Sequence, residues 1–238
     1  MNLWPFFTFY GGKWRAAPRY PAPSHEHIIE PFAGAAGYSV RHYQKSVTLV
    51  EQDQVIAGLW RFLIGSSAAS IRALPLIAMD QSVHDLNVCQ EAKSLIGFWL
   101  NKATASPCIR PGAWMREGLR PKSFWGPEIR ERIASQVERI AHWKVCEGDY
   151  RNAPDIEATW FIDPPYQGAG KLYRYNSSGI NYATLADWCR SRRGQVMVCE
   201  NDGADWLPFS PFLKIKSSES SRSKSVSCES IWMPGARE

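Results

Sequence analysis

The chain has 238 residues, of which 45% are hydrophobic and 21% charged, and it carries a net charge of +5. This balance excludes a disordered chain and indicates one large folded domain, or one domain with a sizeable insertion. The positive charge permits a polyanionic partner without requiring one. Six cysteines, none at zinc-ligand spacing, predict reduced buried thiols and no metal site.

The first residues, MNLWPFFTFYGG, are apolar but lack a basic start and run into Gly-Gly-Lys. We therefore expect neither a signal peptide nor a membrane span, and a cytoplasmic protein.

Strand and helix patterns begin after PRYPAP (18–23), which predicts an extended connector. HEHIIE and SVTLVEQD predict strands. QDQVIAGLWRFL predicts a helix between strands, with one apolar face made of Ile56, Leu59, Trp60 and Leu63.

Residues 65–143 interrupt this order. NVCQEAKSLIGFWLNKA and GPEIRERIASQVERIAHW predict helices, and the second has an apolar stripe of Ile129, Ile133, Val137 and Ile140. A long segment rich in Arg, Gly, Pro and Trp separates them, and long ordered loops are often functional. We therefore expect a helical insertion at 65–143 in a domain built from 1–64 and 144–238.

Strand patterns return in HWKVCEGD, EATWFIDPP, GQVMVCEN, FLKIKSS and ESIWM, with one helix in YATLADWCRSRRG. The alternation predicts an α/β sheet with helices on both faces. The Ser-rich segment 217–230 predicts a flexible hairpin loop between the last two strands.

Two features at successive strand ends suggest a ligand site. EPFAGAAG (30–37) follows the first strand, and its small residues let a backbone approach a ligand closely. Glu51 ends the next strand, where nucleoside-binding sheets place an acid that accepts from ribose hydroxyls. The alternatives are a tightly packed turn and a solvated acid.

Two further stretches carry aromatic groups. In FYGGKWR (9–15), a Gly-Gly turn allows Lys13 to point inward, although a plain surface turn is the alternative. In DPPY (163–166), the prolines fix the backbone and offer carbonyls without N–H groups. A carboxylate, a carbonyl and an aromatic face together suit an exocyclic amino group on a planar base.

These motifs, with EGDY (147–150), occur in one order between residues 9 and 166. In that order the chain resembles the DNA adenine N6-methyltransferase family that uses S-adenosylmethionine, in the group with an aromatic-Gly-Gly-Lys start. The resemblance implies a Rossmann-like class I methyltransferase sheet with target recognition in 65–143. Ala36 departs from the family's Phe-x-Gly-x-Gly pattern, and Glu51 stands where Asp is usual.

The resemblance implies a role for each motif. Asp163 and the Pro164 carbonyl accept the two N6 hydrogens, Pro165 completes the rigid turn, and Tyr166 stacks on the flipped base. The implied S-adenosylmethionine-binding residues are Phe9, Tyr10, Gly11, Gly12, Lys13, Pro31, Phe32, Gly34, Glu51, Asp149 and Asp163. The segment LYRYNSSGINY (172–182) suits a flap over the base, or an ordinary connecting loop.

The expected partner is double-stranded DNA, methylated at a specific site by a monomer or weak dimer in a bacterial or phage-infected cell. Our candidate DNA contacts are Arg110, Arg116, Arg120, Lys122 and Arg130, with a solvated basic face as the alternative. Other hypotheses are methylation of cytosine N4 or of adenine in RNA, and a DNA-binding relative without catalysis. The hypothesis of an unrelated nucleotide-binding enzyme is weakened, because the sequence has no P-loop and no complete GxGxxG motif.

Overall fold

Seven strands form one mixed sheet in the order β3-β2-β1-β4-β5-β7-β6. The structure is a computed structural model that describes residues 2–102, 104–119, 121–168, 173–216 and 226–235. The strands are β1 (His27–Glu30), β2 (Ser46–Glu51), β3 (Lys144–Glu147), β4 (Ala158–Ile162), β5 (Gly194–Asn201), β6 (Ser210–Lys216) and β7 (Val226–Trp232). The predicted α/β class with a Rossmann-like sheet is confirmed.

Strands β1 to β5 pair in parallel, whereas β7 pairs antiparallel with both β5 and β6. Parallel strands end at the same edge of the sheet, so the residues after β1, β2, β3 and β4 meet there. Because β7 runs the opposite way, its first residues also reach that edge. Glu229 of β7 accordingly lies opposite Asn201, the last residue of β5.

The described part of the chain contains seven α-helices beside the sheet: α1 (Gly37–Arg41), α2 (Gln54–Ile64), α3 (Ala68–Arg72), α4 (Gln90–Phe98), α5 (Ala113–Arg116), α6 (Pro127–Val137) and α7 (Tyr182–Arg190). Alternate strand residues enter two different cores. Ile28 and Phe161 pack into the core that holds α2, α4 and α6, and Ile29 and Trp160 pack into the core that holds α7. Both faces of the sheet are therefore covered, as predicted.

The inserted segment shares the larger core with the sheet and the aromatic start of the chain. The rings of Phe7 and Phe98 are 5.1 Å apart, and the Trp99 indole donates to the Phe6 carbonyl at 2.9 Å. The predicted apolar faces of α2 and α6 are buried. The insertion is therefore anchored to the sheet through α2 and the N-terminal segment.

Several local predictions were wrong. Helix α4 ends at Phe98, so the WLNK part of its predicted segment is not α-helical, and Ala103 lies outside the described residues. Pro18 lies in a 3-10 turn, Ala17–Arg19, within the supposed extended connector. Strand β7 begins at Val226, inside the supposed hairpin loop, of which 217–225 lie outside the described residues. Cys89 is exposed, although all six cysteines are free as expected.

The loop between β1 and α1 approaches the N-terminal turn closely. A Cβ atom added at Gly37 would lie 2.3 Å from the Trp14 backbone nitrogen and 2.8 Å from the Lys13 carbonyl carbon. The preceding Ala36 adopts a left-handed conformation, with φ of 47°. The alanine in place of the family's second glycine therefore keeps a glycine-like backbone, and Gly37 provides the room beside Lys13.

We expect Gly37→Ala to lower the free energy of unfolding by at least about 2 kcal/mol, because backbone atoms of the N-terminal turn must move. The matched control is Gly58→Ala in α2, where the added Cβ makes ordinary contacts at 3.6 Å. Gly58→Ala should be neutral or stabilising by up to about 1 kcal/mol, since alanine favours a helix interior. Urea denaturation measures both, and equal stability of the two variants would contradict the close-approach argument.

Candidate functional site

A cavity of about 550 Å³ opens at the edge of the sheet where the parallel strands end. It lies where the strand order reverses between β1 and β4, the place at which open α/β sheets bind ligands. The volume is in the range of small-molecule sites, roughly 300–1,000 Å³. The loops after β1, β2, β3 and β4 all contribute to its wall.

Every residue predicted to bind the cofactor lines this one cavity: Phe9, Tyr10, Gly11, Gly12, Lys13, Pro31, Phe32, Gly34, Glu51, Asp149 and Asp163. Of the other DPPY residues, Pro165 lines it too, whereas Tyr166 does not, and its ring centroid lies 4.8 Å from Lys13 Nζ. Residues far apart in sequence are thus brought together. Their individual roles remain predictions.

Glu51 holds the loop after β1. One carboxylate oxygen accepts from the Gly34 backbone N–H and the other from the Asp53 N–H, both at 2.9 Å. Each oxygen keeps a second lone pair for a ligand. Burial raises the pKa of Glu51 to about 6, despite the backbone hydrogen bonds that favour its charged form. The side chain is therefore an acceptor poised near neutral pH.

Asp149 and two stacked rings line the side of the cavity after β3. Asp149 accepts from the backbone N–H of Arg151 at 2.9 Å and from its guanidinium at 2.6 Å. The rings of Phe32 and Tyr150 stack with centroids 5.5 Å apart. This part of the wall offers a carboxylate beside a flat apolar surface.

Tyr173 closes the cavity from the loop that precedes α7. Its hydroxyl donates to the Tyr10 carbonyl at 3.2 Å, and its ring packs on Phe9 at 5.8 Å. Further residues of the same loop, from Arg174 to Asn181, complete the wall. Most described residues of the segment 172–182 therefore line the cavity, and Leu172 lies outside the described residues. Its role as a flap stays a prediction beside that of an ordinary connecting loop.

Lys13 is buried in the site, so the alternative of a plain surface turn is wrong. Gly11 takes a left-handed conformation, with φ of 72°, and the turn directs the ammonium inward. Lys13 Nζ lies 2.9 Å from Asp163 Oδ1 and 3.5 Å from Glu229 Oε1. Burial alone would lower the pKa of Lys13, but the two carboxylates outweigh it and raise the pKa.

Asp163 directly follows β4 and is largely buried, with 19% of its side chain exposed. Burial raises the pKa of Asp163, an effect that Lys13 opposes and Glu229 reinforces. A carboxylate that is easier to protonate than usual therefore faces the cavity. Such perturbed groups in a cleft are candidates for chemistry.

The prolines after Asp163 are fixed from two directions. The Tyr182 hydroxyl donates to the Pro165 carbonyl at 2.6 Å, and Glu200 accepts from the Gln167 N–H at 3.1 Å. Within the part of the chain that the structure describes, no hydrogen bond reaches the Pro164 carbonyl. Pro164 is itself buried and does not line the cavity, so of the two predicted amino-group acceptors the structure places Asp163 in the cavity wall and Pro164 behind it in the turn.

Sequence reasoning missed three buried groups of the site. Glu30, the last residue of β1, lines the cavity and accepts from the Ser39 N–H at 2.6 Å. Glu229 pairs with Lys13, and Tyr20 donates to Glu229 at 2.8 Å. Glu30 had a local signal, since it opens the EPFAGAAG motif. Glu229 and Tyr20 had none, because their partners are distant in sequence.

The candidate DNA contacts lie in the insertion, away from the cavity wall. Arg110 is exposed and donates to the Asp80 carbonyl at 2.8 Å, and Lys122 is exposed. Arg116 donates to the Pro111 carbonyl. Arg130 is half-buried and donates to the Leu74 carbonyl at 2.7 Å, so it also supports the fold. Arg120 lies outside the described residues.

Comparison with known proteins gives no match, either to a protein-family model or to a curated protein. Within the described ranges, no group of three or more His, Cys, Asp or Glu side chains is arranged to hold a metal ion. Every described helix is too short or too polar to cross a bilayer. The site is therefore interpreted from its own chemistry.

Glu30 makes the stability of the fold depend on pH. Burial raises its pKa from 4.5 to about 8. Below pH 4.5 both folded and unfolded states are protonated, and above it only the unfolded state ionises readily. Stability is therefore lost as pH rises through about 8.

We expect Glu30→Gln to remove on the order of 3 kcal/mol of this pH-dependent loss, because glutamine has no carboxyl group to ionise. Its amide oxygen can still accept from the Ser39 N–H, so the fold keeps that hydrogen bond.

Urea denaturation between pH 5 and pH 8 measures how steeply the free energy of unfolding falls with pH. In Glu30→Gln a smaller fall should remain, because the pKa of Glu51 is also raised. Glu26→Gln is the control, since Glu26 is exposed and pairs with Lys45 at the surface. It should keep the wild-type slope. A Glu30→Gln variant with the wild-type slope would show that Glu30 does not carry the effect.

Proposed function

We propose that the protein is a DNA methyltransferase that transfers a methyl group from S-adenosylmethionine to the N6 amino group of adenine. The observation that carries the proposal is one cavity that joins Asp163 and Pro165 of the DPPY turn to the glycine loop, Glu51 and Asp149. Asp163, the acceptor proposed for a base amino group, therefore lines the same cavity as Glu51 and Asp149, the acceptors proposed for a nucleoside. The proposal also rests on the resemblance of the motifs and their order.

The cavity fits a nucleoside cofactor. Glu51 offers acceptors for ribose hydroxyls, and Asp149 offers a carboxylate for an adenine amino group beside the Phe32 ring. The loop at Gly34 leaves little room for a side chain, since an added Cβ would lie 3.2 Å from Phe9. When bound, S-adenosylmethionine supplies an electrophilic methyl group on a sulfonium sulfur.

The DPPY turn fits the amino group of the acceptor base. Asp163 and the Pro164 carbonyl accept its two N–H bonds, which favours a tetrahedral nitrogen with a free lone pair. Once the nitrogen carries the methyl group, one N–H proton leaves it, and Asp163 accepts that proton. The raised pKa of Asp163 favours this last step. Positioning and fixed dipoles supply most of the acceleration.

An adenine in a duplex reaches this cavity only after it is flipped out of the stack, at a cost of a few kcal/mol. Tyr166, whose face already packs against the Lys13 ammonium, is the aromatic group assigned to the flipped base. Among the candidate DNA contacts, the exposed residues that we propose for contacts with phosphates are Arg110, Arg116 and Lys122.

Transfer of labelled methyl groups from S-adenosylmethionine to mixed-sequence duplex DNA, with the product nucleosides resolved, tests the proposal. We expect N6-methyladenine. N4-methylcytosine would keep the cavity chemistry and change the acceptor base, and label in RNA alone would change the substrate. A protein that binds no S-adenosylmethionine and labels no nucleic acid would overturn the proposal.

Asp163→Asn should lower the rate of methyl transfer at least about 100-fold, because the amide replaces a charged acceptor with a weaker one and cannot take the proton. Asp163→Ala should abolish it. The dissociation constant for S-adenosylmethionine separates two effects, because the resemblance also assigns Asp163 to the cofactor: a value within about threefold of the wild type assigns the loss to the transfer step, and a larger change assigns part of it to cofactor binding. Asp155→Asn, at a surface carboxylate paired with Arg192, is the control and should transfer normally. Wild-type turnover in both Asp163 variants would contradict the mechanism assigned to Asp163.

Binding of S-adenosylmethionine should weaken as pH falls through about 6, because protonation of Glu51 removes its charged acceptor. Well below that pH, affinity should fall about tenfold per unit. Isothermal calorimetry between pH 5 and pH 7 measures the step. Glu51→Gln should bind more weakly at pH 7 and lack the step. If Glu51→Gln bound S-adenosylmethionine with wild-type affinity at pH 7, Glu51 would not contribute to cofactor binding.

A further inference from the structure

Glu229 is a buried carboxylate that no predicted motif includes. It lies on β7, with 7% of the residue exposed, and it does not line the cavity. Burial of a charged group costs several kcal/mol unless it is paired and hydrogen-bonded. Its partners are the Tyr20 hydroxyl at 2.8 Å and the Lys13 ammonium at 3.5 Å. Glu229 is therefore coupled to the site through Lys13.

Tyr20 holds the Glu229 oxygen that does not face Lys13. Its ring packs edge-on against Phe161 at 5.0 Å and at a tilt against Phe212 at 4.8 Å, and it is 5% exposed. The Cys199 thiol lies 3.5 Å from its hydroxyl. One oxygen of Glu229 is thus held by a rigid donor, and the other is directed at Lys13.

Lys13 lies between two carboxylates that compete for one ammonium. Its distance to Asp163 is 2.9 Å and its distance to Glu229 is 3.5 Å, with the Gly11 carbonyl at 3.3 Å. The Gly11 carbonyl accepts a hydrogen bond from the ammonium, whereas both carboxylates contact it as ion pairs. Asp163 Oδ1 is buried and has no hydrogen-bond partner among the described residues, so it keeps its acceptor capacity although it lies beside Lys13. Paired only with Asp163, the ammonium would weaken that carboxylate as an acceptor.

We infer that Glu229 is a positioning residue for methyl transfer, which shares the Lys13 ammonium and so leaves Asp163 able to accept the amino group of the base. The inference rests on the proposed function and deepens it. Lys13 keeps a second carboxylate when Asp163 turns to the substrate. No buried charge is then left without a partner during the reaction.

Glu229→Gln tests the inference with little disturbance, since the amide oxygen still accepts from Tyr20. We expect kcat to fall about 10- to 100-fold, while the KM for DNA and the Kd for S-adenosylmethionine stay within about threefold. Lys13→Met should also lower kcat. In the Lys13→Met background, Glu229→Gln should change kcat less than about threefold, because Glu229 acts through Lys13. Additive losses in this double-mutant cycle would overturn the inference.

Lys13→Met leaves two buried carboxylates unpaired, and such a variant can fail to fold. A second readout on Glu229→Gln alone covers that case. In a profile of kcat against pH, the fall at acid pH should follow protonation of Asp163. Loss of the Glu229 charge should move this acid limb to lower pH, because Glu229 raises the pKa of Asp163. The Glu229 charge also raises the pKa of Lys13, Tyr20, Tyr166 and Cys199, but all four have pKa values raised above their ordinary values of 9 or higher and so stay protonated through the acid limb. The remaining titratable groups around Asp163, whose pKa shifts do not depend on Glu229, are Glu30, Tyr173 and Glu200. A purely structural role would lower kcat without moving the limb, and that result would overturn the inference.

The wild-type protein separates the two possible failures. An active wild type whose Glu229→Gln variant has the same kcat overturns the role of Glu229 and leaves the proposed function standing. A wild type that binds S-adenosylmethionine but methylates neither DNA nor RNA overturns the proposed function, and the role of Glu229 in methyl transfer falls with it.

Discussion

The ammonium of Lys13 joins three parts of the molecule that are remote in sequence. It is buried 2.9 Å from Asp163 at the end of β4 and 3.5 Å from Glu229 on β7, and its own backbone packs against Gly37. A buried ammonium is stable only among acceptors, so these parts must be in register before it can leave water. The N-terminal turn, the glycine loop and the DPPY turn are thereby held in one arrangement.

The topology of the sheet explains why the other polar groups of the site converge. Parallel strands end at one edge, and the reversal of strand order between β1 and β4 opens a crevice there. Glu30, Glu51 and Asp163 each end a strand or directly follow one. The cost of removing these carboxylates from water appears as raised pKa values, which suit groups that accept hydrogen bonds or protons.

The sheet and most of the cavity wall could be predicted because their signals are local. Short apolar runs ending in small or acidic residues mark strand ends, and strand ends share an edge. Glu229 could not be found in this way, since the antiparallel pairing of β7 with β5 is long-range and its partner lies near the start of the chain. Helix α4 ends earlier than predicted for a similar reason. The Trp99 indole donates a hydrogen bond to the distant Phe6 carbonyl, and this tertiary contact overrides the helix propensity of the residues after Phe98.

The position of β7 also has a consequence for synthesis of the chain. Lys13 leaves the ribosome early, whereas Glu229 is among the last described residues to emerge. A nascent chain that lacks β7 has only one of the two carboxylates that share the ammonium, and the edge of β5 is unpaired. Domains tend to fold as units, so closure of the sheet by its one antiparallel strand coincides with completion of the charge cluster. Partly made chains would therefore lack the arrangement of charges around Lys13 that the finished sheet provides.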